Sequence, residues 1–306
     1  MNVSSLTPPE LGSLLKQAGI FLQTGSFITH LQTSIPSVAE GIGLLYADYP
    51  LAEQGGFADF HVSLAPPRDL RRWFKPQVLF LSDGDAPFKP LPLDQAFPML
   101  EWGLNWCVSS HANRYLIIHA AVVEKGGHAA ILPAPPGSGK STLCAALVHR
   151  GWRLLSDELT LVRIGDGKII PLPRPVSLKN QSIDIIRRYE PDAIISRKVS
   201  DTITGTVAHM KPPTDSVTRA AETAQAAWVI FPKYQAGEAA RLEVLPQSRA
   251  FMRVADNAFN YSLLGTKGFE TMANLIDASR CYDFTYSVLD EAIETFDALK
   301  PPAPSM

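Results

Sequence analysis

Hydrophobic and polar positions in the first third of the chain predict a small unit that mixes helices with strands. A capping box formed by Thr7 and Glu10 precedes leucines at helical spacing and predicts an N-terminal helix. Short apolar pieces broken by Pro, Gly and Asp predict strands at residues 41–46, 58–64 and 78–81. A longer helical pattern covers residues 96–109, where Trp102 and Trp106 are expected to pack in the core. We therefore expect an accessory α+β domain over residues 1–112.

From residue 115 onward, strands alternate with helices. Continuous apolar runs predict strands at residues 116–123, 128–132 and 152–155, with a helix at 141–150 between the last two. Asp166-Gly167 predicts a hairpin joining residues 159–164 to 168–172. Further strands are expected at 227–231, 242–245 and 281–287, and helices at 248–256, 268–278 and 289–299. This alternation indicates the α/β fold class for a domain over residues 113–299, followed by a disordered tail at 300–306.

Composition and charge narrow the class of protein. With 306 residues of which 46% are hydrophobic, the chain can fill a core and is not expected to be disordered. A net charge of −2 provides no overall basic field, so neither nucleic acid nor a membrane is an expected partner. The N-terminus lacks the pattern of a signal peptide, and no apolar run approaches the ~20 residues of a membrane span. We expect a cytoplasmic protein whose three scattered cysteines form neither a disulfide framework nor a zinc site.

A glycine-rich motif supplies the clearest chemical signal. Between a predicted strand and a predicted helix, the chain reads Ala134-Pro135-Pro136-Gly137-Ser138-Gly139-Lys140-Ser141-Thr142, which is G-x-x-x-x-G-K-[ST] with Ala at the first position. In this motif, backbone N–H groups and a helix N-terminus hold a polyphosphate. Lys140 is expected to reach the β- and γ-phosphates, and the Ser141 hydroxyl to bind Mg²⁺. The motif predicts that residues 136–142 bind ATP with Mg²⁺.

Two carboxylates and a histidine extend the candidate site. Asp157 and Glu158 follow the predicted strand at 152–155, where an acid can hold Mg²⁺ or accept a proton from an acceptor hydroxyl. His119 lies within the apolar run 116–123, a setting in which a packed core histidine is more common than a catalytic one.

These segments together resemble the core of bacterial HPr kinase/phosphorylase. The matching parts are Ile118-His119-Ala120-Ala121-Val122-Val123, the glycine-rich motif and Leu155-Ser156-Asp157-Glu158, with 140 − 119 = 21 residues from His to Lys and 157 − 119 = 38 from His to Asp. The details are most similar to the branch called HprK-related kinase A, as in Glu101-Trp102-Gly103-Leu104-Asn105, Gly151-Trp152-Arg153-Leu154 and Pro175-Val176-Ser177-Leu178-Lys179-Asn180. The resemblance covers residues 101–162 and continues more loosely to the C-terminus.

The resemblance implies a P-loop kinase fold and a set of roles. Asp157 would be the catalytic base, His119 would hydrogen-bond to it and tune it, and Glu158 would be an ordering or metal-proximal acid. Lys140 would neutralise charge during phosphate transfer, and Ser141, Asp157 and Glu158 would bind the metal ion. The family's oligomers imply a possible homo-oligomer. The chain departs from the family pattern in two places: Glu158 replaces a second Asp, and the E-x-R-G-x-G segment is missing, with Arg174 and Lys179 in roughly its place.

Several alternatives stay open at this level. The acceptor is expected to be a Ser or Thr hydroxyl of a small protein or peptide, but a small-molecule kinase and a non-catalytic ATP-binding module are alternatives. Arg174 and Lys179 are candidates for neutralising phosphate charge or binding an anionic substrate. His209 and Lys211 either belong to a mobile loop that reaches the phosphate or to an exposed polar loop.

Overall fold

The N-terminal part of the chain contains a five-stranded sheet packed with helices in the computed structural model, which describes residues 1–67 and 74–302. Its strands, in the order in which they pair, are β1 (Ile20–Thr24), β2 (Phe27–Thr33), β3 (Phe60–Ala65), β4 (Gln77–Ser82) and β5 (Leu91–Pro92). The helices are α1 (Pro8–Lys16), α2 (Pro36–Leu45) and α3 (Ala96–His111), with short 3-10 turns at Val3–Ser5 and Leu93–Gln95. The capping box of Thr7 and Glu10 is present at the start of α1, and the helix predicted over 96–109 is confirmed as α3.

The strand predicted at residues 41–46 is wrong, because these residues belong to helix α2 and the turn after it. Pro36 occupies the first turn of α2, and Val38, Ile42 and Leu45 are buried at helical spacing. Gly41 lies against the Phe97 ring, where an added Cβ would be 2.2 Å from the ring. The periodicity of this short apolar run fits either a strand or a helix, and packing against α3 selects the helix.

The second sheet of this mixed α/β chain has eight strands and contains both parallel and antiparallel pairs. Its strands are β6 (Tyr115–Lys125), β7 (His128–Pro133), β8 (Arg153–Ser156), β9 (Leu159–Arg163), β10 (Ile169–Ile170), β14 (Gln225–Tyr234), β15 (Arg241–Val244) and β16 (Arg280–Tyr286). The order is β10-β9-β6-β7-β14-β16-β15, and β8 also pairs with β6. Strands β7, β14 and β16 run parallel, and the hairpin predicted at Asp166-Gly167 joins β9 to β10.

Both faces of this sheet are buried, which accounts for its continuous apolar runs. Along β6, Ala121 and Val123 pack on one face, whereas Ala120 and Val122 pack on the other. The helices on the first face are α4 (Lys140–Val148), α5 (Gln181–Tyr189) and α10 (Leu289–Asp297). Those on the second face are α7 (Gln247–Asp256), α8 (Tyr261–Leu264) and α9 (Thr266–Asp277).

A small antiparallel sheet lies near the end of β8 and was not predicted. It contains β11 (Val176–Lys179), β12 (Val199–Thr202) and β13 (Gly205–Met210), in the order β11-β13-β12, and the short helix α6 (Thr214–Thr218) follows it. His209 lies in β13 and is buried, so it is not part of a loop. Lys211 follows β13 and pairs with Asp48 at 2.9 Å.

One hydrophobic core extends across residue 112. It joins buried residues of α2 and α3 to Ile117, Leu159 and Leu172. The division into domains at 112/113 remains a prediction, and the shared core shows that the two parts pack together. Within the described ranges, no helix combines the length and apolar character that a membrane crossing requires. The predicted disordered tail falls largely outside the described residues, since 303–306 are not among them.

Candidate active site

The glycine-rich motif forms the connection between β7 and α4, as its sequence predicts. Gly137 and Gly139 have φ values of 84° and 89°, a left-handed conformation that glycine adopts without a Cβ penalty. The Tyr286 hydroxyl donates to the Gly139 carbonyl at 2.9 Å, and the Tyr234 N–H donates to the Ser138 carbonyl at 2.8 Å. These contacts hold the loop carbonyls on the side of β14 and β16. The first N–H groups of α4 have no acceptor within the helix, so they can bind an anion.

Side chains of the motif divide into buried and accessible ones. Lys140 begins α4 and is 8% exposed, and no ion pair of its ammonium group is found in the described part of the chain. Ser141 and Thr142 are half-buried, and Pro136 is exposed at the loop surface. The Ser138 hydroxyl is buried without a hydrogen-bond partner among the described residues. A buried cation without a carboxylate partner is suited to bind phosphate oxygens.

Asp157 is a deeply buried carboxylate just beyond the end of β8. It is 3% exposed, and its Oδ2 accepts a hydrogen bond from the Ser177 N–H at 3.0 Å. Its Oδ1 has no hydrogen-bond partner among the described residues. Burial, followed by the charge of Glu158, raises the pKa of Asp157 to about 6, against the opposing effects of Lys140 and the Ser177 N–H. Asp157 therefore has the properties of a proton acceptor near neutral pH.

Glu158 lies in a different environment from its neighbour. Its Oε2 is 3.0 Å from His119 Nε2, and its Oε1 is 3.7 Å from Lys179 Nζ. Burial opposes its ionisation, but the hydrogen bond from His119 and the charges of Lys140 and Lys179 lower the pKa of Glu158 to about 2. Glu158 is therefore the carboxylate of the pair that remains charged.

The resemblance implied a hydrogen bond between His119 and Asp157. This prediction is wrong, because His119 pairs with Glu158 instead. In the register of β6 and β9, His119 lies opposite Leu159. The residue before Leu159 is Glu158, so this register brings the Glu158 carboxylate to the imidazole. His119 is 31% exposed at its side chain, and its ring lies 5.8 Å from that of Phe259.

Arg174 and Lys179 have different surroundings. Arg174 is buried and donates to the carboxylate of Glu101 at 2.7 Å, so its charge is already neutralised within the protein. Lys179 is partly exposed and lies beside Glu158. Of the two cations, Lys179 is the one that can approach a phosphate or an anionic substrate.

A small polar cavity beside Asp157 brings together residues that the sequence analysis considered separately. Its volume is about 20 Å³, which is the size of one water molecule. Asp157, Ser177, Arg174 and His209 each present to this region a buried polar atom without a partner among the described residues. Trp102, expected to be a core residue, also lines the cavity. Only non-local folding brings these positions together, since the sequence suggests His209 only as a loop residue and does not indicate that Ser177 contacts Asp157.

The oxygen donors of the site fit Mg²⁺. Mg²⁺ usually takes one or two carboxylates together with water and phosphate oxygens. Asp157 provides an unpartnered carboxylate oxygen, and Ser141 provides a hydroxyl close enough to lower the pKa of Asp157. Glu158 is already engaged by His119 and Lys179, which makes Asp157 the better carboxylate ligand. No cluster of three or more His, Cys, Asp or Glu suited to a metal occurs in residues 1–67 and 74–302.

No protein-family model matches this chain, and no curated protein sequence matches it either. Any assignment of function therefore depends on the residues and on the geometry of the site. The two strongest features are the glycine-rich loop before α4 and the buried carboxylate after β8.

The raised pKa of Asp157 predicts that this site destabilises the fold as pH rises. Between its ordinary pKa of 3.8 and its folded value of about 6, the folded state binds more protons than the unfolded state, so the free energy of unfolding falls across this window. Asp157→Asn removes this dependence and retains an acceptor for the Ser177 N–H. We expect the variant to gain on the order of 1–3 kcal/mol relative to wild type between pH 4 and pH 7.

Chemical denaturation of both proteins at several pH values measures this difference. The lowered pKa of Glu158 affects stability with the opposite sign, since the stability it provides is lost as pH falls from 4.5 toward 2. Glu158 is present in both proteins, so its contribution does not produce the difference between them. A stability difference that is constant from pH 4 to pH 7 would contradict the perturbed environment of Asp157.

Proposed function

We propose that this protein is a Mg-ATP-dependent phosphotransferase of the HPr-kinase type, which phosphorylates the hydroxyl of a Ser or Thr in a small protein or peptide. The observation that carries the proposal is the Asp157 carboxylate, which is buried with Oδ1 unpartnered among the described residues and whose pKa is lowered by the charge of Lys140 on the glycine-rich loop. The motif spacing that resembles HPr kinase supports the same conclusion.

In the proposed mechanism, the chain positions the two reactants and moves one proton. Backbone N–H groups of residues 137–142 and the Lys140 ammonium hold the phosphates of ATP. Asp157 accepts the proton of the acceptor hydroxyl while that oxygen bonds to the γ-phosphorus. The bond from the γ-phosphorus to the bridging oxygen breaks, and ADP leaves with the electron pair. Bound Mg²⁺, held by the Ser141 hydroxyl and by phosphate oxygens, would supply charge neutralisation for the phosphates.

His119 and Glu158 have supporting roles in this mechanism. The charged Glu158 raises the pKa of Asp157, and His119 holds the Glu158 carboxylate by a hydrogen bond. Together they keep a second negative charge beside the base without binding the proton of the acceptor. Their contribution is electrostatic and positional, which suits a reaction that requires little covalent chemistry from the protein.

Transfer of labelled phosphate tests the proposed function. The purified chain is incubated with γ-labelled ATP, Mg²⁺ and fractionated lysate of its source. Label on one polypeptide band supports the proposal, and phosphoamino-acid analysis identifies the acceptor hydroxyl. Label only in a low-mass filtrate would indicate a small-molecule kinase, and ATP binding without transfer would indicate a non-catalytic ATP-binding module.

Alanine substitutions at two left-handed glycines separate phosphate binding from backbone strain. Gly137 in the loop and Gly151 after α4 have φ values of 84° and 88°, and an added Cβ would meet nothing within 4 Å at either position. Each substitution should destabilise the fold by about 1–2 kcal/mol because of its left-handed conformation.

Only Gly137→Ala should also weaken Mg-ATP binding, by about tenfold or more, since its Cβ occupies space where the phosphates approach the backbone. Calorimetric titration with Mg-ATP and thermal unfolding measure the two effects separately. Equal ATP affinities for Gly137→Ala and Gly151→Ala would exclude this loop as the phosphate site.

A further inference from the structure

Residues of the N-terminal part of the chain contact and hold the segment from Pro171 to Ser177. It runs from β10 to β11 and contains Pro171, Pro173 and Pro175, none of which has an N–H group to donate. Three of its residues therefore cannot donate to a strand ladder. Its path must be fixed by its carbonyls and side chains, and these contacts come largely from residues before 112.

Two carbonyls of the segment meet the N-terminal sheet and its connections. The Tyr49 hydroxyl donates to the Pro173 carbonyl at 2.8 Å, and both tyrosine and carbonyl are buried. Gly25, in the turn between β1 and β2, lies so close that an added Cβ would be 2.4 Å from the Pro171 carbonyl oxygen. The positive φ of 57° at Gly25 allows this approach.

A buried ionic network provides the third contact. Arg174 Nη2 donates to the Glu101 side chain and to the Glu101 carbonyl, each at 2.7 Å, and its Nη1 donates to Asn105 at 3.0 Å. The Tyr46 hydroxyl donates to the other Glu101 oxygen at 2.6 Å. Glu101 and Asn105 lie on α3 and Tyr46 follows α2, so the guanidinium is oriented entirely by the N-terminal part. A guanidinium with several fixed acceptors has little freedom to rotate.

The opposite side of the segment reaches the candidate base. The Leu172 N–H donates to the Leu155 carbonyl at 2.7 Å, and the Ser177 N–H donates to Asp157 Oδ2 at 3.0 Å. The segment thus lies between the N-terminal part and the end of β8. A shift of the Arg174 backbone would move Ser177, three residues away, and with it the backbone hydrogen bond to Asp157 Oδ2.

We infer that residues 1–112 serve as a positioning unit for Asp157, and that Arg174, held by Glu101, is the positioning residue through which they act. This inference rests on the proposed function, since it assigns the N-terminal part a role in the same phosphotransfer site. Arg174 does not touch the reacting atoms; it fixes the segment whose Ser177 N–H orients the Asp157 carboxylate. The two parts of the chain are then needed together for transfer, although the loop that binds ATP lies in one of them.

Kinetics of Glu101→Gln test the inference. The variant keeps the shape of the side chain but removes the charge that fixes Arg174. We expect kcat to fall about 10- to 100-fold, as for other small displacements of catalytic groups, with the KM for ATP within about threefold of wild type. The probes are phosphate release from Mg-ATP with water as the acceptor, and transfer to the labelled acceptor once it is known. If Glu101 has a purely structural role, fewer molecules of the variant will be active, but the molecules that remain folded will have the wild-type kcat.

Hydrogen exchange of the full chain gives a readout that does not depend on activity. Amides of residues 172–178 should exchange at least about tenfold faster in Glu101→Gln, whereas those of α4 should be unchanged. The matched control is Asp48→Asn, which breaks the pair with Lys211 between the same two parts without touching the segment. We expect this control to have wild-type kcat and wild-type exchange at residues 172–178.

A double variant keeps the test valid if Glu101→Gln fails to fold. Glu101→Leu with Arg174→Met removes both buried charges, a change that proteins often tolerate. A folded double variant with lowered kcat and faster exchange would support the inference. Wild-type kcat in either folded variant, or unchanged exchange at residues 172–178, would overturn it. If the wild-type chain neither transfers nor hydrolyses, the proposed function fails, and the exchange result still decides whether the N-terminal part holds the Asp157 segment.

Discussion

Replacing Asp157 with Asn should lower phosphate transfer by about 10²–10⁴-fold while the affinity for ATP stays within about threefold of wild type. Asn cannot take a proton from the acceptor hydroxyl, but it retains an oxygen to accept the hydrogen bond from the Ser177 N–H. The loop that we propose to hold the phosphates is a separate part of the chain, so binding should persist. Single-turnover transfer of label and calorimetric titration with ATP measure the two quantities.

The same substitution at an exposed acid is the matched control for this experiment. Asp192 is exposed and lies between α5 and β12, and Asp192→Asn should leave both transfer and binding unchanged. If Asp157→Asn retains transfer above a tenth of the wild-type rate, Asp157 is not the base. If ATP affinity collapses together with the rate, its main role is metal or nucleotide binding.

Lys140→Ala should weaken ATP binding by about 100-fold and lower transfer by at least as much. The ammonium group is buried at the start of α4, has no ion pair in the described residues, and acts electrostatically on both Asp157 and Glu158. In the proposed complex it binds phosphate oxygens directly, and charge-assisted bonds of this kind are among the strongest that a protein makes. Titration with ATP and with ADP, followed by transfer at saturating ATP, separates binding from rate.

Lys198→Ala is a suitable control for loss of a lysine. Lys198 pairs with Asp184 on the surface, and its removal should affect neither ATP affinity nor transfer. Lys140→Arg keeps the charge but changes the shape of the group, so it should restore only part of the binding. Retention of tight ATP binding by Lys140→Ala would refute the assignment of the loop as a phosphate site.

The local parts of the site were readable from the sequence because each is continuous along the chain. Residues 134–142 contain glycines where the backbone is left-handed, directly between a strand and a helix, and β6 to β9 were predicted within two residues at each end. Asp157 and Glu158 follow a strand in the sequence and in the structure.

Non-local contacts account for what was missed or wrong. The run at residues 41–46 is short and apolar, which fits a strand or a helix, and its packing against Phe97 selects the helix. The strands β11, β12 and β13 contain only four, four and six residues, too few for their residue pattern alone to predict a sheet. The partner of His119 depends on the register of β6 and β9, which residue types alone do not specify.

The sequence by itself determined the α/β class, the glycine-rich loop and the two acids, since backbone preference, apolar periodicity and residue type act over a few neighbouring positions. The tertiary structure alone decided which carboxylate meets His119, that Arg174 is neutralised by Glu101, and that Ser177 holds Asp157. These pairs are separated by 39, 73 and 20 residues. Contacts over such distances depend on strand register within the sheet and on the packing of the N-terminal part against it, because burial removes water and leaves each polar group to find its partner in the protein.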